Sequence, residues 1–128
     1  VPRLLDAAGL KKRLASDKKV IIKPNLVEPQ PPPVTTPVEL VAALAGYIHT
    51  SCPHLDIIIA EGCGSSSNNT WQVFKALGYS GLADLDRVTL MDLNEAPSVL
   101  MQNSKCRRWP EMHLPKSFLK VSSFQSRC

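Results

Sequence analysis

The stretch that decides the fold is LDIIIAEG, residues 55–62, in which the apolar run 57–60 ends in an acid and a glycine. A β-branched run with no polar alternation is typical of a parallel strand that is covered on both faces. KVIIK at 19–23 and RVTLMDLN at 87–94 repeat this pattern, and each also ends in polar residues. The sequence therefore predicts three buried strands.

Helical patterns fill the segments between these strands. After the proline-rich VEPQPPPV (27–34), the sequence TPVE (36–39) predicts a helix start with Thr36 as the N-cap, Pro37 at the first helical position and Glu39 in a capping box. The apolar residues that then recur at helical spacing are Val41, Leu44, Ala45 and Ile48. We expect this helix to end at SCP (51–53), before Pro53.

A second helix is predicted to follow the second strand. Asn69 and Gln72 are spaced for a capping box, and Gly78 stands where a left-handed residue commonly ends a helix. Its expected apolar face consists of Trp71, Phe74 and Leu77.

The two ends of the chain carry weaker patterns. RLLDAAGLKKRLASD (3–17) predicts one short amphipathic helix, weakened by Gly9. Residues 95–128 form a weakly patterned tail, in which Leu114, Phe118 and Val121 fit a helical turn or two.

Strands joined by long helical connections are parallel and linked by right-handed crossovers. The predicted fold class is therefore α/β, a three-layer Rossmann- or flavodoxin-like, mostly parallel sheet with helices on both faces, and incomplete. Residues 1–128 are expected to be a single α/β domain or the N-terminal part of a larger domain.

Composition argues against several functional classes. The net charge is only +4, and the basic stretches KKRLASDKK (11–19) and KCRRW (105–109) lack interleaved aromatic residues, so we expect no nucleic-acid partner. No apolar run is long enough to span a membrane, and we expect a cytoplasmic location. The cysteines (Cys52, Cys63, Cys106 and Cys128) form no C-x-x-C pair and the histidines no metal triad, which predicts reduced thiols and no metal site.

The polar strand ends predict a ligand site. Parallel strands all point the same way, so their carboxyl ends share one edge of the sheet, where ligands of such folds bind. Lys23 and the helix starts at Thr36 and Asn69 favour a small anionic molecule there. The expected ligand-binding residues are Lys23, Asn25, Thr36, Glu61, Gly62, Gly64, Ser65, Asp92 and Asn94.

Alternatives remain for most of these residues. Lys23 is equally well explained as a strand-end lysine that reaches solvent. Glu61 and Asp92 fit a shared divalent cation or an acid–base pair, but caps on loop N–H groups are the favoured interpretation. GCGSSS (62–67) has the start of a dinucleotide fingerprint, although Ser67 replaces its third glycine, so a nucleotide stays an alternative. The sequence names no cofactor and no reaction.

The order and spacing of VIIKPNLV, TT, IAEGCG, ALGY and LMDLN resemble the uncharacterised family catalogued as domain of unknown function 362. The resemblance implies a mainly prokaryotic α/β domain with no agreed reaction, accompanied in some members by a ferredoxin-like iron–sulfur segment. The cluster-binding cysteines of those members are absent here, and relatives continue beyond Leu114 and Pro115 into another strand. The family's motif positions correspond to Lys23, Pro24, Asn25, Thr36, Glu61, Gly62, Gly64, Asp92 and Asn94.

Two functions therefore compete. In the first, the chain binds an anionic small molecule at the sheet edge and is part of an enzyme, with Glu61 and Asp92 handling protons or Mg²⁺. In the second, it is a non-catalytic module that docks a redox or metabolic protein through the basic residues 105–108 and an exposed sheet edge. A homo-oligomer or another protein partner would then complete the sheet.

Overall fold

The computed structural model describes residues 1–119. Its helices are α1 (Pro2–Ala7), α2 (Leu10–Leu14), α3 (Val38–Ser51), α4 (Thr70–Ala76) and α5 (Lys116–Leu119), with a 3-10 helix at Tyr79–Asp84. Its strands are β1 (Lys19–Ile22), β2 (Asp56–Glu61), β3 (Val88–Asp92), β4 (Ser98–Gln102) and β5 (Glu111–Pro115). The chain is thus a mixed α/β structure.

The three predicted strands form one parallel sheet in the order β1-β2-β3. The register pairs Ile22 with Ile59 and Glu61 with Asp92. α3 connects β1 to β2, while α4 and the 3-10 helix connect β2 to β3. The predicted α/β class with a parallel sheet is confirmed, and the carboxyl ends of all three strands lie at one edge.

The core lies against the central strand. Ile57 and Ile59 of β2 are buried in one cluster with Ala45 of α3 and with Val73 and Phe74 of α4. The intervening residues Ile58 and Ala60, which point to the opposite face, are buried as well. Burial on both sides explains why the sequence of β2 shows no polar alternation.

The start of α4 forms as predicted, whereas the start of α3 does not. Asn69 and Gln72 make the reciprocal capping box, and Gly78 is left-handed with φ of 80°. At α3, however, Pro37 is the N-cap and no side chain caps the helix. Thr36 is not the cap, because its hydroxyl accepts a hydrogen bond from the Asn25 backbone N–H at 2.9 Å instead.

The predicted apolar face of α4 is wrong at its first position. Trp71 is 45 % exposed, whereas Val73 and Phe74 are fully buried. Leu77 is partly buried against the core. The indole therefore lies at the surface of the molecule, beside the carboxyl end of β3.

The N-terminal segment and the tail also differ from expectation. Gly9 adopts a left-handed conformation with φ of 66°, which ends α1 and starts α2, so the segment forms two helices instead of one. In the tail, β4 and β5 form an antiparallel hairpin that the sequence did not predict. Leu114 lies in β5 and Phe118 in α5, while Val121 lies outside the described residues.

Cys52, Cys63 and Cys106 carry free thiols, as predicted, and Cys128 lies outside the described residues. The helices in residues 1–119 all fall short of the length or the apolar character that crossing a lipid bilayer requires.

Candidate functional site at the carboxyl edge of the sheet

The carboxyl edge of the sheet carries two buried acids side by side. Glu61 ends β2, Asp92 ends β3, and the two are register partners. Both residues are only 6 % exposed. The backbone continues this pairing one step beyond the strands, since Leu93 N–H donates to the Glu61 carbonyl at 2.9 Å. Buried carboxylates need compensating donors, and each of these two finds its own set.

Glu61 is neutralised by Lys23, which follows β1. The Lys23 ammonium lies 2.7 Å from Glu61 Oε2, and the other oxygen, Oε1, accepts the Gly62 backbone N–H at 3.0 Å. The Glu61 side chain is 8 % exposed, whereas that of Lys23 is 52 % exposed. The buried acid thus holds a lysine that is itself half exposed.

Asp92 forms no ion pair with any residue in 1–119 and is held by neutral donors. Its Oδ1 accepts the Thr70 hydroxyl at 2.7 Å and the Asn94 backbone N–H at 2.8 Å. The Thr70 oxygen in turn accepts the Cys63 backbone N–H at 3.1 Å. Thr70, the first residue of α4, therefore connects the end of β3 to the loop after β2. The sequence did not single out Thr70, because its only visible signal was its place after the N-cap.

The loops after β2 and β3 are locked together by Gly62 and Asn94. The Asn94 side-chain amide donates to the Cys63 carbonyl at 2.9 Å. A β-carbon on Gly62 would lie 2.6 Å from the Asn94 side-chain oxygen, so residue 62 is a glycine because the asparagine occupies that space. A β-carbon on Gly64 would meet Val27 only at 3.5 Å, an ordinary contact.

The glycine-containing loop does not form an open anion cradle. The N–H groups of Gly62 and Cys63 are used by Glu61 and Thr70. Gly64 N–H donates to the Val27 carbonyl at 3.2 Å, and Ser65 N–H to the Cys63 sulfur at 3.3 Å. A phosphate cradle needs consecutive N–H groups that point at the ligand. The dinucleotide-like arrangement suggested by GCGSSS therefore lacks these donors.

Asn25 and Thr36 form a separate pair. Besides the contact through the Thr36 hydroxyl, Thr36 N–H donates to the Asn25 carbonyl at 2.9 Å, and the Asn25 amide donates to the Val34 carbonyl at 3.1 Å. These bonds close the proline-rich loop upon itself. No hydrogen bond in the described part of the chain joins this pair directly to Glu61 or Asp92.

Tyr79 contacts this pair through Thr36. Its role was not predicted, because nothing in ALGY (76–79) indicates a chemical function. The residue is fully buried, and its hydroxyl donates to the Thr36 carbonyl at 2.9 Å. Burial raises the pKa of Tyr79 to about 12, and the charges of Glu39 and Glu61 add to the shift. The phenol is therefore neutral at ordinary pH.

The helix starts contribute less than the sequence suggested. α3 carries Glu39 in its first turn, which opposes an anion, and the capping box of α4 uses the N–H groups of Asn69 and Gln72. Among residues 1–119, no three His, Cys, Asp or Glu side chains are grouped to hold a metal ion. Glu61 and Asp92 each accept a loop N–H, as the favoured interpretation predicted.

Comparisons with known proteins identify the family of the chain. No curated protein and no solved structure matches it. The sequence model of one family, described as Domain of unknown function (DUF362), matches residues 20–124, which include every predicted site residue. The chain therefore belongs to the family of domain of unknown function 362.

Proposed function

We propose that this protein is a cytoplasmic, Rossmann- or flavodoxin-like domain that binds a small anionic ligand at the carboxyl edge of its parallel sheet, with Lys23 as the charged contact. The observation that carries the proposal is that the Lys23 ammonium lies 2.7 Å from Glu61 while the Lys23 side chain as a whole is 52 % exposed. In such a three-layer fold, helices cover both faces of the parallel sheet.

Lys23 is a charged donor at this edge that has hydrogen-bonding capacity left. An ammonium has three N–H groups; Glu61 accepts one at 2.7 Å, and the one other acceptor within residues 1–119, the Pro24 carbonyl, lies at 3.5 Å. The N–H groups of the loop after β2 are used inside the chain from Gly62 to Ser65. An incoming carboxylate or phosphate oxygen would thus meet Lys23. Because Glu61 balances the charge of Lys23, the attraction is short-ranged and the expected affinity is modest.

The test compares phosphate binding by the natural protein and by the double variant Lys23→Met/Glu61→Gln. The double change removes the cation without leaving a buried charge, because Glu61 becomes neutral at the same time. Titration with inorganic phosphate, followed by amide NMR shifts, should show an affinity about tenfold lower, the usual scale of one charge-assisted hydrogen bond.

The control for the loss of a lysine is Lys18→Met. Lys18 precedes β1 at the opposite edge of the sheet and is exposed, so its loss changes the net charge without touching the site. We expect its phosphate affinity to equal that of the natural protein. If the double variant keeps its fold and binds phosphate as well as the control does, Lys23 is not a ligand contact.

A second candidate function, docking of an acidic protein partner, is favoured by the β4–β5 hairpin. Leu100 and Met101 of β4 are 49 % and 37 % exposed, and Trp109 in the connecting loop is 62 % exposed. Arg107 and Arg108, next to this tryptophan, are exposed too. Exposed Trp and Arg are the residue types enriched at the centres of protein interfaces. We propose a partner surface with an apolar centre and an acidic rim.

This second function is tested by site-specific photo-crosslinking in cells from position 109. Leu85, also exposed at 45 %, serves as the control position outside the hairpin. A partner that crosslinks from position 109 and not from position 85 should be lost after Arg107→Glu/Arg108→Glu. Retention of the same crosslink after the charge reversal would contradict electrostatic docking.

A further inference from the structure

A cavity of about 270 Å³ lies beside Asp92, and neither Lys23 nor Glu61 is among its lining residues. It is formed where α4, β3 and α5 meet, and its lining includes Trp71, Leu90, Met91, Asp92, Glu95 and Ser117. This volume is close to the lower limit of pockets that take small molecules, which fits a ligand of a few heavy atoms. The walls are apolar, and the polar groups are few.

The polar groups of this cavity include two carboxylates that form no ion pair within residues 1–119. The ion pairs in residues 1–119 join Lys23 to Glu61 and Arg87 to Asp56, and neither involves Asp92 or Glu95. Both hydrogen bonds that Asp92 accepts within this part of the chain go to Oδ1, which leaves Oδ2 as an acceptor. Two unpaired carboxylates next to apolar walls favour a cation.

Trp71 supplies an aromatic wall. Its indole N–H points to Glu95 Oε2 at 3.5 Å, and its ring packs at 58° against Phe74 with centroids 5.8 Å apart. These contacts orient a large aromatic side chain that is otherwise 45 % exposed. Tryptophan is the aromatic side chain that attracts cations most strongly through its ring face.

Ser117 gives an independent sign of a missing polar partner. Its hydroxyl oxygen is the one buried side-chain oxygen or nitrogen in the described part of the chain that has no hydrogen-bond partner. An unsatisfied buried hydroxyl is unfavourable, and native structures pair nearly all such groups. Because Ser117 lines the cavity, an N–H group of a ligand would supply that partner.

We propose that this cavity binds a small primary amine in its ammonium form, with a short branched alkyl body. The ammonium lies at Asp92 and Glu95 and donates to the Ser117 oxygen, while the alkyl body packs on Leu90, Met91 and the Trp71 ring. The site is independent of the anion site at Lys23, because its contacts are carboxylates and an indole.

Three ligands of the same shape and different charge test the proposal: 3-methylbutylamine, 3-methylbutan-1-ol and 3-methylbutanoate. The chain has two tryptophans, so the indole N–H signals in a ¹H–¹⁵N spectrum report on Trp71, with Trp109 in the hairpin loop as an internal control. The amine should shift the Trp71 signal saturably and leave Trp109 unchanged. The alcohol should bind about tenfold more weakly and the carboxylate more weakly still.

Two variants identify the charged contact. Glu95→Gln should lower the affinity for the amine about tenfold, and because Glu95 is exposed the fold is not at risk. Glu111→Gln removes an acid of β5 that is also exposed, and it should leave the affinity for the amine unchanged. Equal affinities for the amine and the alcohol, equal shifts of both indoles, or no saturable shift at all would each overturn the proposal.

Discussion

Glu61 and Asp92 are register partners at the ends of β2 and β3, yet their buried carboxylates bind different donors. Glu61 takes the Lys23 ammonium and the Gly62 N–H, whereas Asp92 takes the Thr70 hydroxyl and the Asn94 N–H. Each acid therefore ties a loop to the end of its own strand. These bonds leave hydrogen-bonding capacity on Lys23 and on Asp92 Oδ2, the two groups at which we propose that ligands bind.

The link between Asp92 and the loop after β2 should be measurable through Thr70. Thr70→Val keeps the shape of the side chain and removes the oxygen that bonds both Asp92 and the Cys63 N–H. Because this leaves buried polar groups without a partner, we expect a loss of about 1–3 kcal/mol in the free energy of unfolding by urea.

Thr50→Val is the control for this change. The Thr50 hydroxyl bonds the Gly46 carbonyl within α3 and is exposed, so its removal should alter stability by less than about 0.5 kcal/mol. Equal losses in the two variants would mean that Thr70 does not connect α4 to the sheet edge.

Gly62 and Asn94 should be energetically coupled. In Gly62→Ala, the new methyl group would displace the Asn94 side chain, which lies 2.6 Å away, and break its bond to the Cys63 carbonyl. We expect a loss of about 1 kcal/mol, since the displaced atom ends a short side chain that can move. Gly64→Ala, with ordinary contacts only, should be close to neutral.

A double-mutant cycle separates this effect from backbone preference. If the clash with Asn94 is the cause, Gly62→Ala should cost much less in an Asn94→Ala background. The same cost in both backgrounds would show that residue 62 is a glycine for a reason other than the asparagine.

The sequence predicted the elements whose burial pattern is simple. β2 is buried on both faces and α3 on one, so unbroken apolar runs and helical spacing identified them. The hairpin was missed because no residue of β4 belongs to the core that the described residues form. Most of its residues are exposed, which removes the alternation that marks a half-buried strand. Trp71 was misassigned for a related reason: Phe74 is buried as predicted, but helical spacing alone did not show that Val73, and not Trp71, takes the other core position.

The position of the site at the sheet edge was predictable from the sequence, but its side-chain hydrogen bonds were predictable only in part. Parallel strands bring Lys23, Glu61 and Asp92 to one edge, and strand ends can be found in a sequence. Side-chain partners such as Thr70 with Asp92 depend on contacts across 22 residues, which no local pattern encodes. The choice of Thr36 as a cap failed in the same way, since Asn25 competes for its hydroxyl.

Burial of Tyr79 should make the protein sensitive to alkali. Its pKa is about 12 in the folded chain against 10.0 for an ordinary tyrosine, so the unfolded chain loses this proton first as the pH rises. Folded-state stability should therefore decline from pH 10 towards pH 12. Urea midpoints measured over this range should fall less steeply for Tyr79→Phe than for the natural protein. If the midpoints of both proteins fell equally with pH, groups other than Tyr79 would cause the loss of stability.

Finally, the hairpin should open more readily than the parallel sheet. β2 is hydrogen-bonded to a neighbour on each side and lies in the core, whereas β4 and β5 pair with each other in a separate two-stranded sheet. Two-stranded sheets without a core are marginally stable in water. Amide hydrogen exchange followed by mass spectrometry should therefore be complete in residues 98–115 while residues 56–61 remain protected. Equal protection of the two segments would show that the hairpin is held by more than its own pairing, and binding of a docking partner should slow exchange in the hairpin selectively.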